Sequence, residues 1–306
     1  MNEKVSIIMS VYKEEKEELQ MAIDSILKQT YSNFEFIIII DNPNDNWREE
    51  YIKSLNDSRI KILKNEKNIG LPFSLNRGID IASGIYIARM DADDISEKSR
   101  IEKQIEFLNK NNLDLCGTNF YYFYNGKDLE EANMPENNAQ IKKMLKFQNC
   151  IAHPTWLGKR EVFIKNKGYR NIHTCEDLDF LLRGQLLGVK MGNVQEYLLK
   201  YRFNTKGISR TNAGKQIVIT EYLCKNYRNE KIISEKEVSK YINTKKFNQK
   251  AKRYDEYTRV KNSIKNDKNI RNIVQMFLYV DILFFSLKNK IVERLIISGG
   301  KNVGKW

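Results

Sequence analysis

No two cysteines in this sequence are spaced as CxxC; the four, Cys116, Cys150, Cys175 and Cys224, stand far apart. That argues against a zinc site or a disulfide framework and fits a reducing compartment. Long apolar runs are also missing. The strongest candidate, IVQMFLYVDILFFSL at residues 273–287, has 15 residues with Asp281 inside it, short of the roughly 20 that a membrane-spanning helix needs. At the amino terminus, MNEKVSIIMSVYKEE has too short an apolar run for a signal peptide and turns acidic at once. Neither GxxxxGKS/T nor GxGxxG occurs, so neither the P-loop nor the dinucleotide fingerprint supplies a phosphate grip. No recognised nucleic-acid module is visible, which sets nucleic acid aside as a partner.

What is there is 306 residues, 41% hydrophobic and 30% charged. That is a soluble globular composition with room for one large domain and an extension, or for two domains. Charge is unevenly placed. Residues 1–209 hold 30 basic and 30 acidic side chains, residues 210–306 hold 22 and 9, so the whole excess of +13 lies in the last third. The expected division is a neutral body, residues 1–210, and a basic helical extension, residues 211–306, that meets something anionic.

Within the body, short apolar runs alternate with helical patterns. VSIIMSV (5–11), FEFIIIID (34–41), RIKIL (59–63) and IYIARM (85–90) read as strands. LQMAIDSILKQ (19–29) and PFSLNRGIDIAS (72–83) read as helices, the second with Pro in its first turn. SEKSRIEKQIEFLNKN (96–111) reads as a helix with Ser96 as N-cap and Glu97 in its first turn. Buried runs separated by helices predict an α/β fold, a mostly parallel sheet covered on both faces. Ligands bind such sheets beyond the carboxyl ends of the strands. Tyr12, Asp41 and the pair Asp91/Asp93 all fall there. Singly they serve equally as packing, turn former and helix caps; together they point to a site.

The stretch SGIYIARMDADDISEKSR (83–100) ends its apolar run on Asp91, Asp93 and Asp94. Carboxylates this close repel, so a positive partner is expected. Asp-x-Asp after a strand can hold a hard divalent cation, Mg²⁺ or Mn²⁺, and Mg²⁺ is usually completed by waters and substrate phosphates. A nucleotide diphosphate bridged by metal fits. An EF-hand does not: Glu102 falls at the twelfth position, but the central Gly is missing.

Five blocks, VSIIMSVYKEE, QTYSNFEFIIIIDNPND, NEKNIGLPFSLNRGIDIASGIYIARMDADD, HPTWLGKREVFIKNKGYR and CEDLDFLLRGQLLG, occur in order from Val5 to Gly188, in a pattern that covers about residues 4–210. Together they resemble family 2 glycosyltransferases. The resemblance implies an inverting enzyme of GT-A (Rossmann-like) fold with a nucleotide-sugar donor. It places Tyr12 near the donor base, Asp41 on the nucleoside, and Asn68 and Arg77 beside the nucleotide. Asp91 would meet ribose or metal, Asp93 the metal, with Ala92 between them at the donor. Asp177 would be the general base and Glu176 its neighbour. YRFNTKGIS would close over the diphosphate, offering Arg202 and Ser209, and His153 in CIAHPTW would line the acceptor cleft.

The chain also departs from the family pattern. Ser10 stands where Pro is usual, Ile40 and NPN replace the common DDGS, and Asn204, a weaker ligand, replaces a His that can complete the metal shell. Glu176–Asp177 also suit a helix start, where acids are favoured in any case, with Gly188 near its end.

The implied function is transfer from a nucleotide-diphosphate sugar, a UDP-sugar first, to a hydroxyl of a glycan acceptor in cell-surface polysaccharide synthesis. The other reading is a non-catalytic nucleotide-sugar binder held at a membrane; intact Asp91, Asp93 and Asp177 favour the enzyme. Nucleotidyl transfer would want a Gly-rich basic loop after the first strand, and SVYKEEKEE is acidic. In the last third, AGKQIVITEYLCKNYRN and SEKEVSKYINTKKFNQKAKRYDEYTRVKNSI read as Lys-rich helices. Their basic face suits an anionic leaflet, and the apolar stretch with Phe277, Phe284 and Phe285 suits packing or homo-oligomer formation. The expected location is cytoplasmic, peripheral at the inner face of a bacterial plasma membrane, with a lipid-linked glycan as acceptor.

Overall fold

The computed structural model describes residues 3–44, 46–124, 126–203, 212–266 and 276–301. Isoleucine-rich segments make the middle of the sheet. Strands β1 (Val5–Val11), β2 (Phe34–Ile40), β3 (Ile60–Lys64) and β4 (Tyr86–Asp91) lie in the order β3-β2-β1-β4, all parallel. Every residue of β2 is buried, because helices cover both faces.

Alternate residues choose the face. Val5, Ile7, Met9 and Val11 of β1 join Phe36, Ile38 and Ile40 of β2 in one cluster. It includes Leu19, Ile23 and Ile26 of α1 (Lys16–Leu27), Ile52 of α2 (Asn46–Ser54) and Ile101, Ile105 and Leu108 of α4 (Arg100–Lys110). On the opposite face lies α3 (Leu71–Ile81). It packs so close that a Cβ on Gly78 would stand 2.6 Å from Ile8 Cγ2 and 3.0 Å from Ile39 Cδ1.

Ser96 is not the cap of α4. It lies buried in the two-residue strand β5 (Ile95–Ser96), with its N–H on Ser25 Oγ at 3.0 Å. The helix starts only at Arg100, after Ser99. Pairing of Ile95–Ser96 with Lys200 and Leu199 takes the backbone first, so the helix waits.

The other half of the sheet is mixed. It is built from β6 (Leu115–Tyr124), β7 (Lys127–Ala132), β8 (Leu157–Lys159) and β9 (Met191–Arg202). The three-residue β8 sits between β4 and β6, antiparallel to both; β9 runs parallel to β6, and β5 and β7 pair antiparallel to β9 and β6. Helices α5 (Asn138–Met144), α6 (Arg160–Lys165) and α7 (Glu176–Leu186) intervene.

The chain divides into two compact units. One holds residues 1–141, 150–171 and 183–204, with the sheet; the other holds 142–149, 172–182 and 205–306. In the second, α8 (Ala213–Arg228), α9 (Glu235–Ile242), α10 (Lys245–Asn266) and α11 (Val280–Lys301) follow. Gly214 lets α8 approach α10: a Cβ there would lie 2.3 Å from Ala251 O. Ser234 caps α9, accepting from the Glu237 N–H at 3.2 Å. Among the described residues no helix is long and apolar enough to cross a membrane. All four cysteines are buried and unbridged.

Candidate functional site

Register sets the edge at the carboxyl ends of the parallel strands. Ser10 pairs with Asp91, Val11 pairs with Ile40, and the Asp41 N–H donates to Val11 O at 2.8 Å. Tyr12, Asp41 and Asp91 therefore leave three adjacent strands at one level. Tyr12 is exposed, with Lys13 Nζ 4.7 Å from its ring centroid.

Asp41 is buried and organises the next loop. Its Oδ1 accepts from Asn65 Nδ2 at 2.7 Å and from the Ile69 N–H at 2.9 Å, and its Oδ2 from the Gly70 N–H at 2.9 Å. A carboxylate has about four lone-pair sites, so three bonds leave room for one ligand donor. Gly70, at φ +86°, is the residue before α3, a conformation glycine adopts without cost. The ordered loop and α3 line a cleft of about 570 Å³ with Lys67, Asn68, Ile69, Phe73, Asn76, Arg77 and Asp80. Asn68 and Arg77 thus share one surface, and Arg77 is steadied by Asn65 Oδ1 and by Lys64 O at 3.3 Å.

The carboxylate knot after β4 is answered by arginines. Asp91 pairs with Arg89, two residues back on the same strand and hence on the same face. Ala92, next in the chain, is buried. Arg202, the last residue of β9, donates its Nε to Asp93 O at 2.6 Å and its backbone N–H to Asp94 Oδ1 at 2.7 Å. Its guanidinium lies 3.5 Å from Glu18 and over the Phe123 ring at 4.5 Å. Burial, with Asp91, Glu14 and Glu18 nearby, pushes Asp93 up to about 7 against the pull of Arg202. Burial also raises Asp94 well above the ordinary range, and Glu14 upward. The sequence reading missed Glu14, Glu18 and Arg89. The acidic run after β1 and the i, i+2 spacing of Arg89 and Asp91 carried that signal.

This edge fits a divalent cation as a shared ligand. Asp94 Oδ2 is buried with no hydrogen-bond partner, and the carboxylates exceed the arginines set against them. Among the described residues no three His, Cys, Asp or Glu side chains converge to hold a metal. A cation held by Asp91 and Asp93 would need phosphate and water oxygens to complete its shell.

His153 is buried in an aromatic nest. Its Nε2 lies 2.8 Å from Tyr169 OH and its ring 4.6 Å from that of Trp156. Burial, aided by Arg89, holds it neutral, well below the usual 6.5. Ser209 and Asn204 lie outside the described residues.

In the second unit, Glu176 and Asp177 open α7, both half-buried. Asp177 Oδ2 accepts from Asn149 Nδ2 at 2.6 Å and Oδ1 from the Leu178 N–H at 2.7 Å. Helix α8 steadies this start: Gln216 Nε2 donates to Thr174 O at 2.9 Å.

Residues 6–167 match the family model Glycosyl transferase family 2. The chain is 36% identical over 234 residues to an uncharacterized glycosyltransferase of Methanocaldococcus jannaschii, covering 74% of this chain and 80% of that one. It is 35% identical over 247 residues to the O-antigen biosynthesis glycosyltransferase WbnJ of Escherichia coli, covering 78% and 92%. Its fold resembles that of S. aureus TarS 1-349 in complex with UDP-GlcNAc, with TM-score 0.61 and 15% identity over 97% of this chain and 91% of that one. It also resembles the mannosyltransferase PcManGT of Pyrobaculum calidifontis in complex with GDP-Man and Mn²⁺, with TM-score 0.60 and 12% identity over 98% and 87%. A family match across more than half of the sequence, with relatives a third identical over most of their length, shows that this chain belongs to glycosyl transferase family 2 and is a glycosyltransferase.

Proposed function

We propose that the enzyme transfers a sugar, with inversion, from a nucleotide-diphosphate donor, a UDP-sugar first, to a hydroxyl of a glycan acceptor in cell-surface polysaccharide synthesis. The observation that carries the reading is the aligned edge. Tyr12, Asp41 and Asp91 leave adjacent parallel strands in register, beside the Asp93–Arg202 contact. The O-antigen assignment of one relative and the UDP-GlcNAc complex of one fold neighbour support the acceptor and donor classes.

Inverting transfer is a single displacement at the anomeric carbon. One carboxylate must take the acceptor hydroxyl proton, and we assign Asp177, whose rotamer Asn149 and the Leu178 N–H fix. Arg202 opposes charge gathering on the leaving diphosphate. A divalent cation on Asp93 and Asp91 would supply the rest of that charge compensation; the GDP-Man and Mn²⁺ complex of a fold neighbour supports such an ion. The basic last third supports a reaction at the cytoplasmic face of a membrane, on a lipid-linked glycan.

Calorimetric titration of UDP, GDP and their sugars, with Mn²⁺ and with EDTA, tests the donor. Metal-dependent binding of UDP is expected. Binding of neither nucleotide would overturn the reading.

A further inference from the structure

Helix α11 is held at its start. Asp281 pairs with Arg253 at 2.9 Å, Tyr279 OH donates to Glu256 at 3.2 Å just before it, and Ile282 is buried. Beyond Ile282, no described side chain of the helix is buried. Phe284 is 68% exposed, Leu287 47%, Ile291 57% and Leu295 65%. At about 100° per residue these four fall within roughly 80° of arc, one apolar stripe along the helix. Exposed Lys288 borders the stripe on one side and exposed Lys290 and Arg294 on the other. Of the two acids of the helix, Glu293 lies opposite the stripe, and Asp281, on the Lys288 side, is paired with Arg253.

We propose that this face of α11 lies in the plane of an anionic lipid bilayer, with Phe284, Leu287, Ile291 and Leu295 among the acyl chains and Lys288, Lys290 and Arg294 at the headgroups. This deepens the membrane part of the function proposed above and rests on it. Charge complementarity selects the occupant: an apolar stripe edged with cations, in a segment with 22 basic and 9 acidic residues, matches an anionic interface. A second copy fits poorly. The stripe offers roughly 400 Å², near the size of a functional patch but about half of what each partner gives a stable interface. Pairing it with itself would also bring like charges together along the seam.

The test is co-sedimentation of the full chain with phosphatidylcholine vesicles, with and without phosphatidylglycerol. The parent is expected to bind only the anionic vesicles, and less at high salt. A combined Phe284→Ser, Ile291→Ser, Leu295→Ser variant should bind at least about tenfold more weakly, and so should Lys288→Glu, Lys290→Glu, Arg294→Glu. All six positions are exposed, and unchanged nucleotide binding reports an intact fold. Parent-like sedimentation of either variant would overturn the proposal. So would equal binding of the parent to neutral vesicles, or a parent dimer that the apolar variant turns monomeric. A chain that binds vesicles but no nucleotide would sink the donor reading and leave this one standing.

Discussion

Asp93 is crowded by Asp91, Glu14 and Glu18, with Arg202 set against them. Replacing it by Asn removes one repelling charge and keeps the shape. Asp93→Asn should therefore be at least as stable as the parent in a urea melt, yet lose the difference in nucleotide affinity between Mn²⁺ and EDTA. Equal affinity of the parent in both conditions would end the metal assignment. Asp177→Asn should keep its nucleotide affinity and lose turnover by about 10²–10⁴-fold, the usual weight of a general base. Near-normal turnover would move the role, with Glu176 as first suspect. The aspartates were legible because like charge gathered in four residues is a local anomaly. Arg89 was not, because one cation inside IYIARM reads as a flaw in a strand until its i+2 neighbour is seen to share its face.

Glu35 shows how an element is locked in place. It stands on the α3 face of β2, accepting from Ser6 Oγ at 2.6 Å and from the Ser83 N–H at 2.7 Å, with Lys61 at 2.7 Å and Lys4 at 3.1 Å. Burial pushes its carboxyl up, but bonds from Lys61, Ser6 and Ser83 outweigh that and hold it below the usual 4.5. A depressed carboxyl contributes stability fully present above its unfolded value and lost as pH falls through the folded one. Glu35→Gln should cost about 2 kcal/mol at neutral pH, the order of a buried charged hydrogen bond, and the gap to the parent should narrow in urea melts below about pH 4.5. A gap constant with pH would remove the ionic part of the account. On the same face, Gly78→Ala would drive a methyl onto Ile8 and Ile39. About 1–3 kcal/mol of destabilisation is expected from such overpacking, read as a lowered urea midpoint.

Across the whole molecule, nucleotide binding should stabilise the folded chain by mass action. At about 100 times its dissociation constant, a nucleotide adds roughly 2.7 kcal/mol, so UDP with Mn²⁺ should raise the melting midpoint and EDTA should remove much of the rise. An unchanged midpoint at saturating UDP would contradict the donor assignment. The four parallel strands, α1 and α3 were readable within a few residues, because an element buried on both faces writes its environment into its own composition. The mixed half was not. Three-residue β8 and two-residue β5 exist only by pairing with β4, β6 and β9, and nothing local to them demands a strand. That pairing also moved the start of α4 from Ser96 to Arg100. By itself the sequence determined the family, the parallel half and the carboxylates at its edge, since periodicity and charge are local properties. Tertiary structure decided which arginines face those carboxylates, how far burial raises Asp93 and which side of α11 stays bare, because desolvation and pairing depend on residues far apart in the chain.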